Sequence, residues 1–320
     1  MIVQGDCLEV LRDLPDATFT AIVTDPPYGL GFMGKEWDNF KPGHRADSWP
    51  GYADQPKTGA CMHAGKYDLS RRGMSGFQES MRIWSVEALR VLKPGGHALV
   101  FGGTRTFHRL ACALEDAGFE IRDCLMWLTG QGFPKSKNIE GGYGTALKPA
   151  WEPIILARKP LGGTVERNCR EHGTGALNID GCRIGTEARH NPPVGGHRHT
   201  MMPYKGKDGP GTDVVGRWPA NLVLDEAAAE QLGGASRFFY CAKSSKADRG
   251  EGNTHPTVKP VELMRWLVRL VKGPGENLIL DPFAGSGTTG VAAQLEDVPF
   301  LLIEREAAYV AMAEARLASS

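Results

Sequence analysis

A glycine-rich segment near the C-terminus has the spacing of a nucleoside-binding loop. The segment LDPFAGSGTTG, residues 280–290, follows an apolar run, and Gly285, Gly287 and Gly290 satisfy the pattern GxGxxG. Such glycines allow the backbone to approach a ligand closely, and Glu304 ends the next apolar run, where dinucleotide-binding folds place an acid for a ribose diol. The GxxxxGK[ST] pattern of NTPase loops is absent, so the segment predicts a nucleoside pocket and not a triphosphate site.

Two features of this segment favour one nucleoside ligand over another. The loop lies about forty residues from the C-terminus, which leaves no room for the second nucleotide-binding half of an NAD domain. Asp281 places a carboxylate before the first glycine, where a cationic ligand is accommodated better than a pyrophosphate. S-adenosylmethionine, an adenosine joined to a charged amino acid through a sulfonium, therefore fits better than NAD. An NAD-dependent oxidoreductase stays open as the alternative.

A second segment combines an acid, two prolines and an aromatic residue after an apolar run. It reads IVTDPPYGLG, residues 22–31. Proline lacks the donor that a sheet ladder needs and restricts the residue before it, so Asp25, Pro26 and Pro27 should leave the strand as a stiff, extended turn. Such a turn can hold a carboxylate and a carbonyl in fixed directions. The alternatives are that Asp25 only caps a turn and that Tyr28 is an ordinary core aromatic.

The elements that would position these segments alternate between strands and helices at both ends of the chain. The apolar runs that predict strands are IVQGD, TAIVTD, HALVFGG, FEIRDCLMWL, WEPIILARK, NLILD and PFLLIE. The runs with helical spacing are CLEVLRDL, FQESMRIWSVEALRVL, TFHRLACALEDAG, PVELMRWLVRLV, GTTGVAAQLED and REAAYVAMAEARL. Strands this apolar, separated by helices, predict an α/β fold with a mostly parallel sheet and helices on both faces.

Two long segments interrupt this alternation. Residues 29–76 and 161–215 show little periodicity, and segments of this length inside a compact domain are usually functional or disordered. Formal net charge is zero, but residues 131–272 contain 21 Lys and Arg against 14 Asp and Glu, whereas residues 276–320 contain 2 against 7. A basic middle predicts that part of the surface meets an anionic partner such as nucleic acid, with uneven solvation charge as the alternative.

The cysteines and the apolar runs exclude other classes of protein. Seven cysteines are scattered without a CxxC pair, which predicts reduced thiols and neither a disulfide framework nor a metal site. His190, His197 and His199 have no partner cysteines at ligand spacing and are expected in a basic loop. No apolar run is long enough to span a bilayer and the N-terminus lacks signal-peptide flanks, so we expect no membrane partner and a cytoplasmic location.

Taken together, the motifs DPPY and DPFAGSGTT resemble those of the amino-methyltransferases of DNA, which methylate adenine N6 or cytosine N4. The resemblance covers both ends and most of the middle of the chain. DPPY precedes FAGSG, which is similar to the β-class order, with target recognition between the catalytic and cofactor halves. HPTVKP, residues 255–260, and GDCLEVL, residues 5–11, match further family motifs. The resemblance implies a permuted Rossmann-like fold in which the chain begins at the third strand and the C-terminal strands supply the first two.

Carried over position by position, the resemblance implies roles for particular residues. The catalytic set would be Asp25, Pro26, Pro27 and Tyr28. The set that binds S-adenosylmethionine would be Asp6, Cys7, Asp25, Lys259, Asp281, Phe283, Gly285, Ser286, Gly287, Thr288 and Glu304. Within this set Asp6 would approach the adenine, Glu304 the ribose and Lys259 the methionine end. A solvated strand-end acid at Glu304 and a surface lysine at Lys259 are the alternatives.

The implied activity is methylation of an exocyclic amine on a flipped-out base. Such an amine is a poor nucleophile because its lone pair is delocalised into the ring, and acceptors at Asp25 and the Pro26 carbonyl would favour the reactive, pyramidal nitrogen. DPPY is more usual in adenine enzymes, so adenine N6 is preferred and cytosine N4 is the alternative. Methylation of cytosine carbon 5 needs a thiolate that its family presents in a Pro-Cys pair, and none of the seven cysteines follows proline.

The resemblance also implies partners and a division of the chain. Residues 1–160 would form the catalytic half, residues 161–250 the target-recognition insertion and residues 251–320 the cofactor half. The predicted contacts with double-stranded DNA are Lys35, Trp127, Lys135, Arg198, Lys205 and Lys207. For Trp127, core packing is an equal alternative. A homodimer and a separate restriction endonuclease are expected partners in a bacterial or phage-infected cell. A catalytically dead DNA-binding module, or methyl transfer to RNA or protein, stays a smaller alternative.

Overall fold

The structure is a computed structural model that describes residues 1–29, 69–130, 137–191, 211–243 and 253–319. The strands of these ranges are β1 Ile2–Gln4, β2 Phe19–Thr24, β3 Leu92–Phe101, β4 Glu120–Leu128, β5 Asn138–Ile139, β6 Tyr143–Gly144, β7 Trp151–Arg158, β8 Ile184–Asn191, β9 Thr212–Arg217, β10 Leu222–Asp225, β11 Tyr240–Ala242, β12 Ile279–Asp281 and β13 Phe300–Glu304. The helices are α1 Cys7–Asp13, α2 Arg71–Val91, α3 Phe107–Asp116, α4 Val165–His172, α5 Glu226–Leu232, α6 Val261–Val271, α7 Thr288–Leu295 and α8 Ala307–Ala318.

Nine of these strands form one central sheet with the order β1-β13-β12-β2-β3-β7-β4-β10-β11. Neighbours are parallel, except that β7 runs antiparallel to both β3 and β4. The C-terminal strands β12 and β13 lie between β1 and β2, so β1, the first strand of the chain, is at the edge of the sheet and is the third strand when counted from β12 through β13. The permuted α/β architecture predicted from the motif order is therefore confirmed.

The central strands are buried on both faces because helices cover each side of the sheet. In β2, Ala21 and Val23 contribute to a core cluster with α6 and α7, whereas Ile22 points to the opposite cluster with α2 and α3. All three side chains are fully buried. Successive side chains of a strand point to opposite faces, so a strand that is apolar at every position needs cover on both.

Helix α2 shows how the sequence sets an element boundary. Ser70 caps the helix by accepting a hydrogen bond from the Gly73 amide at 3.2 Å, which satisfies one of the free donors of the first turn. The helix thus begins six residues before Phe77, the start of the segment with clear apolar spacing. Its buried face runs from Met74 to Val91 and packs mainly against α3.

The segment predicted as an insertion is partly integrated into the central sheet. Strands β10 and β11 extend the sheet beyond β4, and Asn168 of α4 donates a 2.8 Å hydrogen bond to the Pro94 carbonyl of β3. Only the antiparallel pair β8 and β9 forms a separate sheet within the described part of residues 161–250. The assignment of residues 161–250 to target recognition stays a prediction. The last two strands of this segment, β10 and β11, belong to the central sheet.

The parallel strands bring the predicted site segments to one edge of the sheet. Strand β2 ends directly before Asp25, β12 ends at Asp281, β13 ends at Glu304 and β1 ends just before Asp6. In open α/β sheets, ligands bind outside the carboxyl ends of the strands. Segments at the two ends of the chain therefore meet at one place. None of the helices in the described ranges is long and apolar enough to cross a bilayer.

Candidate active site

A cavity of about 300 Å³ lies at the carboxyl ends of β1, β2, β12 and β13. All four predicted catalytic residues line it. The predicted cofactor residues that line it are Asp6, Cys7, Asp25, Lys259, Asp281, Phe283, Gly285, Ser286, Thr288 and Glu304. The two motifs, which are more than 250 residues apart in the chain, thus form one site. The volume lies at the lower end of the ~300–1,000 Å³ of small-molecule pockets.

Gly285 allows the loop after β12 to approach the cavity wall closely. Its φ angle is +52°, and an added Cβ would lie 2.9 Å from Nε2 of His255. Its amide donates a 2.8 Å hydrogen bond to Oε2 of Glu304, whose Oε1 accepts from the Glu306 amide at 2.8 Å. Burial raises the pKa of Glu304, although the hydrogen bonds from these backbone amides act to lower it. The acid is thus fixed in direction with lone pairs left to accept from a ribose diol.

Gly287 does not lie among the described residues that line the cavity, in contrast to the prediction. Its φ angle is +79°, and an added Cβ would lie 2.8 Å from the Cβ of Ala313 in α8. The glycine is therefore required for the close packing of the loop against α8. Its spacing in GxGxxG could not distinguish a ligand contact from a helix contact.

Replacing Gly287 with aspartate is expected to destabilise the fold as well as the cofactor loop. A side chain at positive φ costs about 1–3 kcal/mol, and the overlap with Ala313 adds about as much. We expect Gly287→Asp to lower the free energy of unfolding in urea by about 2–4 kcal/mol. The control is Gly185→Asp, because Gly185 has the same φ of +79° but no heavy atom within 4 Å of an added Cβ. Equal losses in the two variants would contradict the packing role.

A buried arginine supports the same loop from the C-terminal helix. Arg316, 8% exposed, donates to the carbonyl of Ser286 at 2.7 Å, to its hydroxyl at 3.1 Å and to the Thr288 hydroxyl at 2.9 Å. These bonds connect α8 to the start of α7. The sequence analysis did not identify Arg316, since an arginine in a C-terminal helix carries no positional signal by itself.

Asp281 is a buried residue of the cavity wall whose carboxylate accepts three hydrogen bonds. It accepts from the hydroxyls of Thr24 at 2.6 Å and Thr289 at 2.5 Å, and from the Phe283 amide at 3.1 Å. Burial raises its pKa to about 6, although these hydrogen bonds act to lower it. The hydrogen bonds do not fully offset the burial of this carboxylate, so a cationic ligand would stabilise its ionised form.

The DPPY segment belongs to a network of four polar side chains at the cavity wall. Asp25 pairs with the Lys259 ammonium at 2.8 Å and accepts from the Tyr28 hydroxyl at 2.7 Å. Glu152, at the start of β7, lies 3.0 Å from the same ammonium and 3.1 Å from the same hydroxyl. The side chains of Lys259, Asp25 and Glu152 are 10%, 22% and 35% exposed, respectively. The network is thus mostly shielded but open to the cavity.

The protonation states of two network members follow from their surroundings. Burial acts to lower the pKa of Lys259, but the attraction of Asp25 and Glu152 outweighs it and raises the pKa above its ordinary value. Burial and the same two carboxylates raise the pKa of Tyr28 well above the ordinary value. At neutral pH the network therefore holds an ammonium and a neutral phenol. Lys259 cannot act as a base here.

Asp6 and Cys7 begin helix α1 beside the glycine loop. Asp6 caps the helix by accepting from the Leu8 amide at 2.9 Å and the Glu9 amide at 3.4 Å. Burial, followed by the charge of Asp6, raises the pKa of the Cys7 thiol to about 12. The thiol is therefore neutral, which fits a wall of a nucleoside pocket and excludes a thiolate nucleophile at this position.

Glu152, His255 and Tyr309 line the cavity but were not predicted as site residues. The His255 and Tyr309 rings make an edge contact with centroids 4.5 Å apart. His255 lies in the HPTVKP motif, so its position gave a signal. For Glu152 the signal was an acid at the start of an otherwise apolar strand, which is unusual for a residue near a sheet centre.

The predicted DNA contacts are mostly beyond what the structure describes. Lys35, Lys135, Arg198, Lys205 and Lys207 lie outside the described residues. Trp127 is 9% exposed and belongs to the core cluster that includes Trp266, which agrees with the core-packing alternative. The burial of Trp127 therefore does not support the predicted contact with DNA, because apolar packing explains the position of its ring.

No cluster of three potential metal ligands occurs among the described His, Cys, Asp and Glu residues. His190, predicted in a basic loop, instead lies in strand β8, one residue before its end, and its ring is 2.8 Å from the Asp213 carboxylate. His197 and His199 lie outside the described residues. The six cysteines that the structure describes are free, and Cys61 lies outside it.

A nine-stranded, mostly parallel sheet with one antiparallel strand and a nucleoside-type cavity at its carboxyl edge defines a methyltransferase-type α/β domain. The sequence profile of the N6/N4 methyltransferases, described as DNA methylase, matches residues 19–315. The chain belongs to this DNA methylase family.

Two bacterial methyltransferases and one solved structure are similar to the chain. The type II methyltransferase M.HindIII of Haemophilus influenzae is 26% identical over 316 residues, covering 92% of this chain and 87% of the relative. M.HinfI of Haemophilus influenzae is 23% identical over 321 residues, covering 99% of this chain and 67% of the relative. The PvuII DNA methyltransferase, which is cytosine-N4-specific, has a TM-score of 0.59 at 16% identity, covering 99% and 85% of the two chains.

The family assignment confirms the prediction of a DNA methyltransferase that uses S-adenosylmethionine. The residues present fit this cofactor. Glu304 can accept from a ribose diol, the ionised form of Asp281 suits a cation, and the His255–Gly285 contact leaves no room for a bulkier loop residue. The NAD-dependent alternative is thereby excluded for this chain, since its family is a methylase family.

Cofactor affinity is expected to increase with pH through about pH 6. The pKa of Asp281 is about 6, and its ionised form attracts the cationic cofactor. At pH 5 only about a tenth of the carboxyl is ionised, so calorimetry should show about tenfold weaker binding at pH 5 than at pH 7.5. Asp281→Asn should flatten this dependence. An unchanged slope in the variant would show that a group other than Asp281 causes the pH dependence.

The raised pKa of Asp281 also predicts the direction in which stability changes with pH. Its pKa is about 6 in the folded protein, above the ordinary value of 3.8. Its contribution to stability is therefore full below about pH 4 and is lost as the pH rises through 6. Asp281→Asn removes this loss from the empty protein, which urea denaturation at pH 4 and pH 7 can measure.

Proposed function

We propose that the chain is an adenine-N6 DNA methyltransferase that transfers a methyl group from S-adenosylmethionine to the exocyclic amine of a flipped-out adenine. The observation that carries this proposal is the network of Asp25, Tyr28, Glu152 and Lys259 at the wall of the cofactor cavity. It provides carboxylate acceptors, but no thiolate, where a base would meet the cofactor. Acceptors of this kind suit an amine and not a ring carbon.

Asp25 and the Pro26 carbonyl would orient and activate the amine. The amine donates its two hydrogens to them, which favours the pyramidal nitrogen whose lone pair can attack. When bound, S-adenosylmethionine supplies the electrophilic methyl group. The rigid prolines keep the carbonyl from rotating, so the acceptors need not reorganise during the reaction. Pro26 is buried, which further restricts the turn.

The Tyr28 ring would support the flipped base. The amine of a paired base is inaccessible inside a duplex, so enzymes that modify it extrude the nucleotide into a pocket. Tyr28 is only partly buried and lines the cavity, with its hydroxyl fixed by Asp25 and Glu152. A fixed ring presents one face for stacking at a small cost in conformational entropy.

Cytosine N4 is the second candidate for the target amine. Both amines are exocyclic and both need acceptors, so the network of carboxylates is compatible with either. The PvuII enzyme acts on cytosine N4, but its 16% identity supports a common fold only. The DPPY sequence favours adenine, because SPPY is more usual among cytosine-N4 enzymes in the family that this chain resembles.

Expression in a bacterial host that lacks its own DNA methyltransferases tests the choice of base. Nucleosides from digested host DNA would be separated and their masses measured. N6-methyladenine, with none after expression of Asp25→Ala, supports the proposal. N4-methylcytosine without N6-methyladenine would refute the adenine assignment while retaining the mechanism, and single-molecule sequencing of the same DNA would give the recognition sequence.

An arginine and aromatic surface at the end of the β8–β9 pair, next to residues 233–238, is a candidate contact with duplex DNA. Arg183 lies over the ring of Trp218, which is 66% exposed, and Arg217 and Arg237 lie over the ring of Phe238. Arginines in such positions can reach phosphates or base edges, and exposed rings can stack on bases. This surface lies in the segment proposed for target recognition.

The remaining partners follow from the proposed activity. The type II methyltransferase relatives come from a bacterium, and we infer that the chain meets its DNA substrate in the cytoplasm of a bacterial cell or of a phage-infected one. A homodimer and a separate restriction endonuclease stay predictions. Size-exclusion chromatography with light scattering tests the first.

A further inference from the structure

Glu152 shares both of its hydrogen-bond donors with Asp25. Its Oε2 atom lies 3.0 Å from the Lys259 ammonium and 3.1 Å from the Tyr28 hydroxyl. The same ammonium and hydroxyl lie 2.8 Å and 2.7 Å from the two oxygens of Asp25. Two carboxylates therefore face one ammonium, and all four groups line the cavity.

The charges of the four side chains in this network do not balance. Lys259 is held protonated by the two carboxylates and Tyr28 is held neutral. Two negative charges against one positive charge leave one net negative charge at a mostly shielded wall. An unbalanced charge in such a place costs desolvation energy, which a cationic ligand would offset.

We propose that Glu152 is a charged positioning residue that keeps the site negative toward the cationic cofactor and toward the amine that is methylated, an inference that rests on the proposed function. S-adenosylmethionine carries a sulfonium and an ammonium against one carboxylate, a net charge of +1. Without Glu152, Lys259 would neutralise Asp25 and weaken it as an acceptor. With Glu152, the ammonium is shared and Asp25 retains its acceptor strength.

The charge that Glu152 supplies is needed through the whole transfer. The amine nitrogen bonds to the methyl carbon, the carbon–sulfur bond breaks and its electron pair stays on sulfur. Positive charge thereby moves from sulfur to nitrogen, which then loses one proton along its hydrogen bond to Asp25. Lys259 is already protonated and cannot take that proton. A wall that carries one net negative charge stabilises the cation at both positions.

Calorimetric binding of two ligands that differ in charge tests this role. S-adenosylhomocysteine lacks the methyl group and the sulfonium charge, so it isolates the charge from the shape of the cofactor. We expect Glu152→Gln, which keeps the size of the side chain, to weaken the binding of S-adenosylmethionine about tenfold, an effect of the order of one charge acting through a medium of intermediate dielectric constant. Binding of S-adenosylhomocysteine should change less than about twofold.

Two further variants separate charge from structure. Glu262→Gln removes an equal charge from a residue outside the lining, which pairs with Arg265 at 2.7 Å, and should leave both affinities unchanged. Glu152→Asp keeps the charge and should retain the preference for S-adenosylmethionine. Equal weakening of both ligands by Glu152→Gln, or no change in either, would overturn the proposal. Equal weakening would assign Glu152 to packing alone, and no change would show that its charge does not act on the cofactor.

The rate of methyl transfer at saturating cofactor and DNA gives the second readout. Glu152→Gln should lower this rate about tenfold or more while the urea concentration at the midpoint of unfolding stays that of the wild type, since electrostatic contributions of this kind act on the transition state. A wild-type protein that binds cofactor with the expected charge preference but leaves DNA unmethylated would contradict the proposed function. The ligand preference would still decide the role of Glu152.

Discussion

Asp25→Ala is expected to abolish methyl transfer while S-adenosylmethionine still binds. Asp25 supplies the acceptor that activates the amine, and removal of one preorganised electrostatic group from an active site typically costs about 10²–10³-fold in rate. We expect a loss of at least about 10³-fold here, because the amine has little reactivity without its acceptor. Single-turnover transfer of a labelled methyl group measures the rate, and calorimetry measures the cofactor affinity.

The expected affinity is about tenfold below that of the wild type, as for Glu152→Gln, because the network loses one negative charge while Lys259 keeps Glu152 as a partner at 3.0 Å. Asp25→Asn, which keeps the shape and one acceptor oxygen, is the matched variant and should retain more activity than alanine. Near-normal turnover in Asp25→Ala would reject the assigned mechanism. A loss of cofactor affinity as large as the loss of rate would show instead that Asp25 acts mainly by holding the site together.

Lys259→Met is expected to destabilise the protein and to lower its methyl-transfer activity strongly at neutral pH. Its removal leaves Asp25 and Glu152 as two facing carboxylates that share only the Tyr28 hydroxyl. Breaking a fully buried pair costs ~3–5 kcal/mol. We expect about 2 kcal/mol, because Asp25 and Glu152 keep 22% and 35% of their side-chain exposure.

Two carboxylates this close are expected to share a proton, which leaves a weaker acceptor for the amine. Residual methyl transfer in Lys259→Met should therefore increase as the pH rises and the shared proton is lost. Urea denaturation and a pH–rate profile measure the two effects. The control is Lys148→Met, since Lys148 is exposed and donates only to the Gly130 carbonyl at 3.2 Å among its described contacts. A wild-type pH profile in Lys259→Met would contradict this account.

The fold could be predicted from the sequence because its strands carry an unambiguous pattern. Segments such as TAIVTD are apolar at every position, and the structure buries Ala21, Ile22 and Val23 completely, on alternating faces. The order of the motifs also fixed which strands are neighbours. The boundary of α2 was less predictable, since its first turn begins with the cap of Ser70 and two arginines, before the apolar spacing starts.

The site was predictable where backbone conformation or a motif determined a residue, and not where only three-dimensional proximity did. Asp25, Asp281 and Glu304 lie at strand ends, which a sequence displays. Glu152 lies on strand β7 and Arg316 on helix α8. Only the tertiary fold brings these two elements next to the site, and no local sequence pattern shows that they will meet there. Gly287 shows the converse, because its motif position suggested a ligand but its neighbour is Ala313.

Transfer of a trideuterated methyl group to purified unmethylated DNA tests the central claim most directly. The protein would be incubated with DNA and S-adenosylmethionine labelled at the methyl group, and the digested nucleosides would be measured by mass spectrometry. The account predicts N6-methyladenine that carries the three deuterium atoms, and none with Asp25→Ala. Label found at carbon 5 of cytosine, or no label in any nucleoside despite bound cofactor, would contradict it.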